Sequence, residues 1–221
     1  MAEVELDTLL HAALQQAGLP VPKKAEADLL SYLDELLRWN LRINLTAITD
    51  PATAVEKHLV DSLTLLPLLK GDERLLDLGS GGGLPGIPLK VARPGLNVVS
   101  VDAVRKKIDF QRHIVRQLGL SGFYPLHARA EELAGRPEAA VSFDLVVTRA
   151  VGPLDDLADL ACPCLGVEGR LIAMKGPEGE REAKDAEQAL AERGLYCSEL
   201  RALQLPLSGS ERLLVVISRR K

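Results

Sequence analysis

From Leu75 to Pro88 the chain reads Leu-Leu-Asp-Leu-Gly-Ser-Gly-Gly-Gly-Leu-Pro-Gly-Ile-Pro, with four glycines in the five positions Gly79 to Gly83. Glycine lacks a Cβ, so its backbone can take positive φ and approach a bound group closely. Pro85, Gly86 and Pro88 then mark a loop that opens a helix. A glycine loop between a strand and a helix suits a nucleoside cofactor, which can lie against bare backbone. Asp102 follows about twenty residues on, at the end of the next apolar run, where a carboxylate can accept hydrogen bonds from both ribose hydroxyls. These residues leave the cofactor open: Gly81, Gly83 and Gly86 also satisfy the dinucleotide G-x-G-x-x-G pattern, and the same acid would serve NAD.

Cations recur at the ends of the apolar runs, which is where ligands bind in open α/β sheets. Arg129 precedes Ala130 and Glu131, a pair suited to edging an adenine. Arg149 follows Phe143 to Thr148, and Lys175 ends the run that begins at Gly169. Three cations so placed suit an anionic substrate better than a neutral small molecule. The three cysteines, Cys162, Cys164 and Cys197, lack zinc-ligand spacing, so they read as small apolar residues and no metal is expected.

These groups need strands to carry them. The expected strands are Arg74 to Leu78, Asn97 to Asp102, Phe123 to His127, Phe143 to Thr148 and Gly169 to Lys175, separated by amphipathic stretches such as Arg105 to Leu118. Short apolar runs alternating with helices predict a parallel sheet with crossover helices. Leu200 to Leu205, the turn Ser208-Gly209-Ser210, and Glu211 to Arg219 predict a terminal antiparallel hairpin. Before residue 74 the pattern is helical. Leu6, Leu9, Leu10, Ala13 and Leu14 form one stripe, and Leu29, Leu33, Leu36 and Leu37 a second. A third stretch opens at Asp50-Pro51. The expected division is a helical extension over residues 1–70 and a catalytic domain over 71–221, forming one compact unit.

The hairpin and Asp77 lean toward a methyl donor. A parallel sheet closed by an antiparallel hairpin is expected of the class I S-adenosylmethionine-dependent methyltransferase fold, a Rossmann-like α/β arrangement, whereas a dinucleotide-binding sheet continues in parallel. Asp77, just before the glycines, can meet the amino group of a methionine moiety.

The chain has 221 residues, 47% hydrophobic and 26% charged, a globular balance that excludes disorder over most of its length. A net charge of −4 argues against a generic, charge-driven nucleic-acid binder, so an RNA substrate would need a local basic site. No run is long enough to span a membrane, and Glu3, Glu5 and Asp7 are unlike a secretory leader, so a cytoplasmic location is expected.

Trp39-Asn40, Asn44-Leu45-Thr46-Ala47-Ile48, His58-Leu59-Val60-Asp61-Ser62, Asp77 through Pro88, Thr148-Arg149-Ala150, Lys175-Gly176 and Glu211-Arg212 occur in that order over nearly the whole chain. Together they resemble the glucose-inhibited division protein B family of small-subunit ribosomal RNA guanine-N7 methyltransferases. Gly82 departs from the proline or alanine of several relatives. The resemblance implies an S-adenosyl-L-methionine pocket made by Gly79, Gly81, Gly83 and Leu84, with Asp102, Ala130, Glu131 and Arg149 around the nucleoside. It implies Arg149, Lys175, Arg129 and Arg212 around the reaction site, and Asn40, Asn44, Thr46 and His58 toward the RNA. The implied partner is 16S ribosomal RNA or the small ribosomal subunit, met by a monomer.

Guanine N7 carries a lone pair in the neutral base, so methylation there needs no general base, only alignment with the methyl group. Seven aromatic residues are too few for a long stacking platform, which favours RNA recognition by shape and backbone. The alternatives are a methyltransferase for another RNA, a protein or a small molecule; an NAD-dependent oxidoreductase; and a non-catalytic RNA-associated module.

Overall fold

The structure is a computed structural model that describes residues 3–136, 142–149 and 152–220. Strands β1 (Arg74–Leu78), β2 (Asn97–Asp102), β3 (Phe123–His127), β4 (Phe143–Arg149), β5 (Leu165–Lys175), β6 (Leu195–Gln204) and β7 (Glu211–Arg219) form, among the described residues, one sheet in the order β3-β2-β1-β4-β5-β7-β6. β1 to β5 pair in parallel, and β7 enters antiparallel between β5 and β6. The chain therefore reverses its direction of winding between β1 and β4. That leaves a crevice at their carboxyl ends.

The first three strands have the expected bounds. β5 begins four residues earlier than expected, because Leu165 pairs with Phe143 across an irregularity in the ladder. Gly169 makes the irregularity possible: a Cβ there would lie 2.7 Å from the carbonyl oxygen of Phe143. β6 begins five residues earlier than expected, its ladder with β7 interrupted between Cys197 and Glu199.

Helices cover both faces. On one lie α1 (Glu3–Gln16), α2 (Lys23–Asn40), α5 (Gly86–Ala92) and α6 (Arg105–Leu118), whose Leu10, Leu29, Ile87 and Phe110 share a core with Leu75, Leu145 and Met174. On the other lie α7 (Leu154–Ala161), α8 (Gly179–Asp185) and α9 (Glu187–Glu192), with Leu157, Ala183 and Leu190 against Leu76, Val146 and Val215. The third helical stretch is composite: α3 (Pro51–Ala54), a π-helical turn (Val55–Val60) and α4 (Asp61–Leu63). Asp50 caps it, accepting from the Thr53 amide at 2.8 Å.

The N-terminal helices are tied to the sheet by polar contacts as well as by packing. The buried Tyr32 hydroxyl of α2 donates to the Gly82 carbonyl at 2.9 Å. The buried Glu56 carboxylate accepts the Leu207 and Ser208 amides of the β6–β7 turn, at 2.5 and 2.9 Å. Cys164 is buried and Cys162 and Cys197 are half-buried, all as free thiols.

Candidate functional site

β1 delivers Asp77 to the crevice. Its carboxylate is fully buried: Oδ2 accepts the Gly86 amide at 2.8 Å, while Oδ1 has no partner. Burial pushes its pKa up to about 7, against the Gly86 hydrogen bond and the charge of Arg149, which pull it down. Gly86 cannot be larger, because a Cβ would stand 2.6 Å from Asp77 Oδ2. Gly83, at φ +94°, would drive a Cβ to 2.3 Å from Ile87 Cδ1. Gly81 instead faces open space.

The glycine loop is held by residues that carried no assignment in the sequence. Gln111 of α6, fully buried, donates to Ser80 Oγ and to the Gly81 carbonyl, both at 2.8 Å, and accepts from Ser100 Oγ at 2.7 Å. Its signal was a polar residue on the face that also carries Ile108 and Ile114. Tyr32 likewise sits within the apolar stripe of α2. Gly82 packs against that helix: a Cβ would meet the end of the Leu36 side chain at 2.7 Å. Another residue there needs only a shift of that flexible group.

Asp102 ends β2 and accepts the Gly81 amide on Oδ2 at 2.9 Å and the Val104 amide on Oδ1 at 2.8 Å. Each oxygen keeps a lone pair for a ligand hydroxyl. Ala130 and Glu131 begin a 3₁₀ turn just beyond the neighbouring β3, which Asp102 meets at His127. An orphaned carboxylate oxygen, an open glycine and an acid with spare acceptors fit a ligand combining an amine with a ribose.

Beside this pocket a cleft of about 390 Å³ brings together Arg149, Lys175, Arg212 and His58 with Lys57 and Asp61. Asp61 is buried between two guanidiniums, 3.0 Å from Arg212 Nε and 3.6 Å from Arg149 Nη1. Burial raises its pKa, and the two arginines oppose that rise. Arg149 also donates to the Lys57 carbonyl at 2.9 Å. Lys175 donates to Glu182 and to the Gly152 carbonyl, both at 2.7 Å. The Lys57 ammonium has no partner among the described residues. Lys57 and Asp61 lie one turn apart around His58, and strand-end cations in an acidic chain require such a counter-ion. Both were overlooked in the sequence.

His58 faces the cleft but is engaged. Nε2 lies 2.9 Å from Thr46 Oγ1, which in turn accepts the Ile48 amide at 3.1 Å, and Nδ1 lies 3.2 Å from the Lys57 carbonyl. These contacts assign the proton to Nδ1 and make Nε2 the acceptor from Thr46. Burial, reinforced by Arg149, lowers the His58 pKa to about 4.

The remaining expected residues lie outside the cleft or are engaged within the fold. Asn40 turns inward: Oδ1 accepts the Leu45 and Thr46 amides at 2.8 and 2.9 Å, and Nδ2 donates to the Thr46 carbonyl at 2.9 Å. Asn40 and Thr46 thus shape a loop, with Thr46 also holding His58. Arg129 is exposed and lies outside the residues lining the cleft. It follows β3, three strand spacings from β4, or about 14 Å. Asn44 lies apart as well, in a hollow beside Val104. Ala150 lies outside the described residues.

The sheet order, the single antiparallel strand and the acid-flanked glycine loop define the fold of class I S-adenosylmethionine-dependent methyltransferases. Solved structures agree: a ribosomal protein L11 methylase from Lactobacillus delbrueckii subsp. bulgaricus superposes with a TM-score of 0.55 at 18% identity, covering 73% of this chain and 77% of that one. A variant of MtNAS in complex with S-adenosylmethionine gives 0.60 at 14% identity, covering 86% and 73%. Residues 25–210 match the family model described as rRNA small subunit methyltransferase G, and the chain belongs to that family. It is 54% identical to the ribosomal RNA small subunit methyltransferase G of Syntrophotalea carbinolica, covering 96% of this chain and 97% of the relative. It is 46% identical to the protein of that name from Geobacter sp. strain M21, covering 96% of each.

Proposed function

We propose that this protein transfers a methyl group from S-adenosylmethionine to N7 of a guanine in the 16S RNA of the small ribosomal subunit. The observation that carries this reading is that the cationic cleft lies beside the glycine-loop pocket, with Arg149 of β4 next to the strand that carries Asp77. Arg149 pairs with Asp61 at 3.6 Å in that cleft, and its positive charge also acts on the buried Asp77. The family membership and the names of its relatives support the substrate class.

The cofactor supplies an electrophilic methyl on a sulfonium, whose sulfur keeps the bonding pair as the guanine N7 lone pair forms the new bond. The chain's own residues bind and align. Asp102 would hold the ribose hydroxyls, and Asp77 Oδ1 would receive the amino group of the methionine moiety. Arg212, Lys175 and Lys57 suit phosphates and the purine O6, and no donor should bond N7, because that would occupy the attacking lone pair. His58 supplies no base, since its ring nitrogens are already engaged, which agrees with chemistry that removes no proton. Asn40 and Thr46 hold the loop and His58 in place. Residues 1–70 and 71–221 act as one unit, a reading supported by the Tyr32 to Gly82 hydrogen bond.

No helix among the described residues is long and apolar enough to cross a membrane, and none of their acidic, cysteine and histidine side chains cluster as a metal site. Calorimetric titration with S-adenosylmethionine and with NAD, followed by partition of labelled methyl between RNA and protein in small subunits, tests the proposal. Binding of the first cofactor and label in RNA are expected. Binding of NAD, or label confined to protein, would overturn it.

A further inference from the structure

We infer that the hollow between the loop after α2 and the start of α6 is a second phosphate-binding groove, which grips the RNA backbone a few nucleotides from the target guanine. The inference rests on the reading above that the substrate is RNA. The hollow measures about 260 Å³ and is lined by Arg42 and Asn44 from the loop and by Val104, Lys106 and Lys107 from the opposite side.

Two of its three cations have no acidic partner among the described residues. Arg42 and Lys106 are exposed, and neither side chain has an ion pair or hydrogen bond among the described residues. Lys107 stands 3.9 Å from Asp102, whose two oxygens already accept the Gly81 and Val104 amides. In a chain with four more acids than bases, three converging cations that share a single carboxylate are not an average surface. Lys106 and Lys107 also follow Arg105 in the first turn of the 14-residue α6, where the helix dipole is positive and cations are disfavoured. A bound anion relieves both repulsions.

The loop side is preformed. The three Asn40 hydrogen bonds fix the backbone through Thr46, so Arg42 and Asn44 are presented by an ordered loop and little ordering cost falls on binding. Apolar surface lies alongside: Leu41 is 85% exposed and Val104 46%. A nucleotide offers a phosphate together with an apolar sugar or base face, which matches this pairing better than a carboxylate peptide does. The groove lies beyond β2, two to three strand spacings from the cleft beyond β4 and β5, or about 10–15 Å. A short stretch of RNA backbone covers that distance.

The test compares the unsubstituted protein, an Arg42→Ala/Lys106→Ala double variant, an Arg42→Lys variant, and Lys184→Ala on the distant α8 as control. Affinity for unmodified 16S RNA is measured between about 50 and 200 mM salt, and affinity for S-adenosylmethionine is measured separately. The double variant should bind RNA roughly ten-fold more weakly, with a log–log salt slope shallower by about 1.5, at 0.7–0.9 per lost phosphate contact. Its cofactor affinity and melting temperature should not change, and Arg42→Lys should keep most of the slope. An unchanged RNA affinity and slope would overturn the groove. So would a loss of cofactor affinity by the same factor, which would assign the hollow to the cofactor. A protein that binds RNA without transferring methyl would overturn the proposed reaction, while the salt slopes would still decide the groove.

Discussion

Asp77 shows how burial couples one residue to pH. Its folded pKa is raised to about 7 from an ordinary 3.8, so between these values the folded state holds a proton that the unfolded chain has released. Stability must then fall as pH rises through that window, by up to about 1.4 kcal/mol per unit, and level off above about pH 7. Thermal or urea unfolding of Asp77→Asn beside the parent should show the variant gaining relative stability from pH 4 to 7 and no further above it. Binding carries the opposite sign: an ammonium partner needs the carboxylate, so methyl-donor affinity should weaken as pH drops below about 7. A flat calorimetric profile from pH 8 to 6 would remove Asp77 from the amine site. Asp61 acts on charge geometry. Asp61→Asn should cut methyl transfer by roughly 10–100-fold by releasing Arg149 and Arg212, while cofactor affinity stays near the parent value. At this scale Asp77, Asp102, Arg149, Lys175 and Arg212 stood out in the sequence, and the structure places the two acids beside the glycine loop and the three cations in one cleft. Gln111 and Lys57 did not stand out, because neither a buried amide nor an unpaired ammonium has a spacing of its own.

The elements explain why some expected residues lie outside the cleft. Strand order in space is not strand order in sequence: β4 inserts beside β1, so Arg149 joins Lys175 and Arg212 while Arg129 stays with the far edge. Nothing in the local pattern around Arg129 encodes that separation. The π-helical turn was also illegible, since Val55, Leu59 and Val60 keep an apolar pattern compatible with an ordinary helix. π turns are often found at functional sites, and this one carries Lys57 and His58 and hands its carbonyl to Arg149. The contact of α2 with the glycine loop gives a direct prediction. Tyr32→Phe removes one buried hydrogen bond and leaves the Gly82 carbonyl unpaired, which should cost about 1–2 kcal/mol in unfolding experiments. It should also weaken methyl-donor binding several-fold, whereas an unchanged Kd would show that the loop holds its shape without α2.

At the scale of the whole molecule, the alternation of runs and helices revealed the parallel sheet, and the Ser208-Gly209-Ser210 turn revealed the antiparallel end. The packing of the N-terminal helices was less visible. Leu10 and Leu29 read as stripes seeking a partner, but the partner, the sheet face of Leu75, Leu145 and Met174, is a product of tertiary order. The same packing sets Glu56 under the β6–β7 turn, so a loss there should be felt at a distance. Glu56→Ala should raise hydrogen exchange at the Leu207 and Ser208 amides by at least ten-fold, with core strands unaffected. The net charge of −4 remains compatible with an RNA substrate because the cations concentrate at the carboxyl ends of the strands.

The chemistry turns on which atom receives the methyl. The most direct measurement is mass spectrometry of nucleosides digested from unmodified small ribosomal subunits after incubation with the protein and S-adenosylmethionine. 7-Methylguanosine is expected in stoichiometric yield, and none when Arg149 is replaced. A methyl on an exocyclic amine or a ring carbon, or none in the RNA at all, would contradict it.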